Sequence, residues 1–133
     1  MTKLTLCVDF DGVIHRYDSG WVNIDVVADG PVRGAFDWLL RALDVFDVQI
    51  YSSRSNQAGG AGAMIRWFEK WAPIEFMGDY NAVSKLLQGL KFPTDKPKPF
   101  LTIDDRALTF NGDWLDPMWS PEELLKFKPW NKK

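Results

Sequence analysis

Short β-favouring runs that alternate with amphipathic stretches of about ten residues constrain this chain more than any other feature. "KLTLCVDF" reads as a first strand, and "VFDVQIY" alternates Phe46, Val48 and Ile50 against polar neighbours as a second. "PIEFM" is short enough for a third strand, and "PFLTI" for a fourth. Between them lie helical stripes: Phe36, Leu39, Leu40 and Leu43; then Met64, Trp67, Phe68 and Trp71; then Val83, Leu86, Leu87 and Leu90. Such alternation predicts βαβ units, and so an α/β fold whose mainly parallel central sheet carries helices on both faces. "WVNIDVV" offers a possible extra strand inside a long loop over residues 12–30. In "SPEELLKF", Ser120, Pro121 and Glu123 stand where a capping box would start a last helix. No repeat or linker divides the chain, so residues 1–133 read as one domain.

In open α/β sheets, ligands bind at the carboxyl ends of the strands. The strand ends here are acidic or hydroxylic. Asp9 and Asp11 close the first strand, Ser52 and Ser53 the second, Asp104 and Asp105 the fourth. An Asp-x-Asp pair alone is weak, and its ordinary reading is a solvated loop. Three features raise it: the pair ends an apolar run, Gly12 follows to let the chain turn, and a second acidic pair ends another strand. Carboxylates converging at one sheet edge need a counter-ion. All-oxygen ligation suits Mg²⁺, an ion commonly shared with substrate phosphates, whereas zinc would call for more than His15 and Cys7. The turn "SSRSN" offers hydroxyls and backbone N–H groups to an anion, although serine supports turns in any protein. Lys96 and Lys98 both precede the last strand and could offset phosphate charge; a solvated lysine is the ordinary reading of each.

"DFDGVIH", "VQIYSSR", a lysine before a strand and "LTIDDRA", in that order, resemble the four motifs of the haloacid-dehalogenase-like (HAD) hydrolase superfamily. The resemblance covers about residues 4–108, and the four motifs in order are far more specific than any one. It implies a three-layer Rossmann-like sheet and Mg²⁺-dependent phosphoryl transfer through an aspartyl-phosphate. By that likeness Asp9 is the nucleophile, while Asp11 protonates the leaving oxygen and then activates water. The carboxylates of Asp9 and Asp104 and the backbone carbonyl of Asp11 would hold Mg²⁺, with Asp105 acting directly or through water. Ser52 and Ser53 would bind the phosphoryl oxygens. The lysine spacing in the family favours Lys96 over Lys98, and an aspartate at position 11 argues against dehalogenation.

Many relatives carry a sizeable cap domain, but neither interval between the motifs has room for one here. An uncapped site, with the segment around Trp21 as a modest flap, is expected. The substrate class expected is then a phosphomonoester, such as a nucleotide or a polynucleotide end. Two rivals remain: a polynucleotide 3′-phosphatase of the same fold, and a catalytically silent binding domain. The formal net charge of −2 provides no general attraction for nucleic acid, and the lysine-rich tail "KFKPWNKK" reads as solvated surface. The single cysteine and the lack of any apolar stretch of membrane-spanning length predict a cytoplasmic protein with no membrane partner. Arg54 is placed to pair with a carboxylate or to meet a phosphate, Arg106 to pair with the acids beside it, and His15 to make a local hydrogen bond.

Overall fold

A computed structural model of the chain describes residues 2–132. It is an α/β structure built on a parallel three-stranded sheet. Strands β1 (Leu4–Val8), β2 (Phe46–Ile50) and β3 (Leu101–Ile103) lie in the order β2-β1-β3. Leu6 of β1 lies opposite Val48 on one side and Leu101 on the other, so all three strands run out at the same edge. Helices α1 (Ala35–Ala42), α2 (Gly60–Glu75) and α3 (Tyr80–Gly89) follow the predicted stripes, and α4 (Pro121–Leu124) is a single turn near the carboxyl end.

The period of two sends Leu6, Val8, Val48 and Ile50 to one side of the sheet. There they share one core with Phe36 and Leu39 of α1, Met64 and Phe68 of α2, and Leu86 of α3. The three long helices therefore pack into a single apolar layer, which departs from the expectation of helices on both faces. Cys7 and Thr102 alternate to the other side, where they line a cavity with Lys96 from the irregular stretch that leads into β3.

Two predicted strands are absent. Residues 73–75 of "PIEFM" continue α2, and Phe76 falls at the helical spacing of Met64, Phe68 and Ala72, all buried. Burial on that stripe outweighs the β-favouring composition of five residues. The outer edge of β2 is instead met by one residue: Ile50 N–H donates to Lys91 O at 2.8 Å, and Lys91 N–H to Val48 O at 3.1 Å. "WVNIDVV" forms only an isolated bridge between Asn23 and Val26. Half of the capping box forms. Ser120 Oγ accepts from Glu123 N–H at 3.2 Å, but the Glu123 carboxylate turns away to Lys126. No helix among the described residues is long and apolar enough to cross a membrane.

Candidate functional site

Asp9 leaves the sheet directly after β1, held in line by its N–H donating to Ile103 O at 3.0 Å. Asp104 and Asp105 leave β3 beside it. One carboxylate oxygen from each of Asp9, Asp104 and Asp105 lies within 4.8 Å of the others. Burial pushes Asp9 from the ordinary carboxylate range up to about 7; the Phe10 N–H bond to its Oδ1 opposes that rise, while Asp104, Asp105 and Asp11 add repulsion. Asp105 is pushed up as well, again chiefly by burial. Gly12 allows this crowding: its φ is +83°, and a Cβ there would come within 2.2 Å of Asp105 Oδ2. Three carboxylate oxygens make a hard, anionic donor set. That chemistry fits Mg²⁺ and lacks the nitrogen and sulfur that zinc prefers.

The Asp11 carboxylate belongs to a different cluster. Its Oδ2 accepts from Arg54 Nε at 2.8 Å, and its Oδ1 from Arg54 Nη2 at 3.3 Å. His15 Nδ1 lies 2.8 Å from the same Oδ1. The tautomer follows from the other ring nitrogen: Nε2 accepts the Asp29 N–H at 3.0 Å, so the proton of the neutral ring sits on Nδ1 and is donated to Asp11. Burial pushes Asp11 upward, yet the hydrogen bonds from His15 and Arg54 outweigh it and hold the carboxyl below its usual value. Arg54 itself is fully buried. Its Nη1 donates to the carbonyls of Asn23, Ile24 and Val26 at 2.9–3.1 Å, and Trp21 covers the guanidinium at 4.7 Å. One side chain therefore fixes both Asp11 and the loop predicted as a flap. Of the two roles open to Arg54, the structure has the pairing with a carboxylate.

Ser52, Ser53 and Lys96 share with Asp9 and Asp104 a cavity of about 320 Å³, which Lys98 does not line. Ser52 does perform turn chemistry, its Oγ accepting from Arg54 N–H at 2.9 Å. Its hydroxyl proton is left to donate elsewhere. Asp9, Ser53 and Arg106 also border a smaller cavity of about 170 Å³ with Asp11, Tyr17 and Asp105. The predicted residues thus fall into two adjoining groups: Asp9, Asp104 and Asp105 with Ser52, Ser53 and Lys96, and Asp11 with His15 and Arg54.

No family model matches the chain, and no curated protein or solved structure matches it either. Two site residues escape sequence reasoning. Tyr17 holds a left-handed φ of 64°, which nothing in "HRYDSG" signals. Trp130, in the tail read as solvated surface, donates from Nε1 to Gly12 O at 2.6 Å across 118 residues of chain. No local pattern encodes so distant a contact.

Proposed function

We propose that this protein is a Mg²⁺-dependent phosphatase of the HAD type, with the three-stranded sheet as the centre of a reduced Rossmann-like fold. The observation that carries the reading is the convergence of Asp9, Asp104 and Asp105 within 4.8 Å beside a cavity lined by Ser52, Ser53 and Lys96. Carboxylates beside anion-binding groups suit a divalent cation shared between the carboxylates and a substrate phosphate.

In this reading Asp9 Oδ attacks phosphorus, the bond to the leaving oxygen breaks, and Asp9 carries the phosphoryl group as an acyl phosphate. Water then attacks phosphorus, the bond to Asp9 breaks, and phosphate leaves. Asp11 gives a proton to the leaving oxygen and takes one from the water. Its bonds from His15 and Arg54 favour the ionised form, and so the second of these duties. Ser52 Oγ–H and the turn N–H groups orient the phosphoryl oxygens while the Lys96 ammonium offsets their charge. Asp9, Asp104 and Asp105 would hold Mg²⁺, which when bound neutralises charge on the phosphoryl oxygens.

The test is a screen of aryl, sugar and nucleotide phosphates and phosphorylated DNA ends, with Mg²⁺ and after chelation. Turnover that chelation abolishes, Mg²⁺ restores and Asp104→Ala weakens is expected. Full activity after exhaustive chelation would contradict the role given to the carboxylates. No turnover of any phosphomonoester would favour the silent binding domain.

A further inference from the structure

Arg106 is the guanidinium that borders both cavities of the site. Its backbone N–H donates to Asp104 Oδ1 at 2.8 Å, but among the described residues its side chain forms no ion pair, contrary to the expectation from the adjacent acids. It is exposed, and it borders both cavities. Arg54 is instead buried, paired with Asp11 and donating to three backbone carbonyls.

The smaller cavity lies on the Asp11 side of Asp9, where the leaving group must emerge if Asp11 is to protonate it. Tyr17 lines the same cavity as Asp11. Its φ of 64° disfavours a side chain, so tertiary packing has to hold it there. The packing is visible: its ring meets the buried His15 ring edge-on at 5.9 Å, and Tyr17 lines the cavity that Arg106 also borders. Tyr17 and Arg106 thus line one cavity with Asp9 and Asp11, beside the position the leaving group would take. Among the described residues that line this cavity, Arg106 is the one cationic side chain, so an anionic group of a ligand placed there would find its counter-charge in Arg106.

We infer that the smaller cavity is a leaving-group subsite for a second anion. The substrate class is a phosphomonoester whose leaving group carries another phosphate, as monoester or diester, one sugar away. The guanidinium fork of Arg106 pairs with that second phosphate, and the Tyr17 hydroxyl donates to it. This rests on the phosphatase reading for what occupies the larger cavity.

The test compares a nucleoside 3′-monophosphate, the corresponding 3′,5′-bisphosphate and a dinucleotide with a terminal 3′-phosphate, all with Mg²⁺. The latter two should exceed the monophosphate in kcat/KM by about tenfold or more, mostly through KM, the worth of one charge-assisted hydrogen bond. Arg106→Gln should bring the three within about twofold of each other, Arg106→Lys should keep part of the preference, and Tyr17→Phe should lower it a few-fold. Preference for the dinucleotide over the bisphosphate would mark a polynucleotide end as the source of the second phosphate, and the reverse a free nucleotide; either supports the subsite. Equal efficiencies, or a preference that survives Arg106→Gln, would overturn it. Calorimetry of the same ligands on the Asp9→Asn protein separates binding from chemistry. An Arg106-dependent preference in binding, with turnover of nothing by the unmutated protein, would sink the phosphatase reading and leave the subsite standing. Failure of all three ligands both to bind and to react would overturn the subsite.

Discussion

The two sides of the site are built differently. On the Asp11 side the buried side-chain polar atoms among the described residues all have partners. Arg54 spends its donors on Asp11 and three carbonyls, His15 bridges Asp11 and the Asp29 N–H, and Trp67 Nε1 donates to Asp29 O at 2.8 Å. That network stands on the aromatic core, with Phe10 stacked on His15 and edge-on to Trp67. On the Asp104 side, β3 is three residues long, Leu101 is half exposed and Phe100 more so. Beyond it Phe110, Trp114 and Trp119 pack against one another in tilted and edge-on pairs, with ring centroids 4.4–5.7 Å apart, and none of them belongs to the core. The buried core ends at Leu90. A rigid half thus presents Asp9, Asp11 and the flap, while two of the three converging carboxylates hang from a thinly packed edge. A cation shared across the seam would tie the loose half to the rigid one, and that is the lesson of the contrast.

The contrast can be broken most forcefully at its rigid side. Arg54→Ala leaves the Asp11 carboxylate and three carbonyls without their donor, and removing one partner of a buried pair costs about 3–5 kcal/mol. Urea denaturation should show a loss of that order. A loss below about 1 kcal/mol would mean that the network does not hold the loop. Gly12→Ala acts at the seam. Its left-handed φ costs a side chain about 1–2 kcal/mol, and the new Cβ would displace Asp105. Thermal melts should show that destabilisation together with a smaller rise in Tm on adding Mg²⁺ than the unmutated protein gives. An unchanged Mg²⁺ response would separate Asp105 from the cation. Trp114→Ala acts on the loose side, where the ring is 72% exposed, and should shift stability by no more than about 0.5 kcal/mol. A cost above about 2 kcal/mol would show that the carboxyl-terminal segment is packed against more than itself.

The same division governs what could be read from the sequence. The helical stripes were legible because burial on one face imposes a period, and Phe36, Leu39, Met64, Phe68 and Leu86 are all buried as that period requires. The convergence of Asp9 with Asp104 and Asp105 was legible because a parallel sheet brings its strand ends to one edge. The fate of "PIEFM" turned on Phe76, which fits a strand locally and a helix only when counted from Met64. The partners of Arg54 were not legible. Three of its acceptors are backbone carbonyls of a loop, and carbonyls carry no signature of residue type.

The central claim is that Asp9 becomes covalently phosphorylated, and trapping that species tests it most directly. Protein mixed with a phosphomonoester it turns over and Mg²⁺, then quenched in acid during turnover, should yield by peptide mapping a phosphoryl group on the peptide that contains Asp9. The adduct should vanish in Asp9→Asn and after chelation. Mg²⁺-dependent hydrolysis that proceeds with no phosphoryl group on that peptide, and that Asp9→Asn leaves intact, would contradict the account.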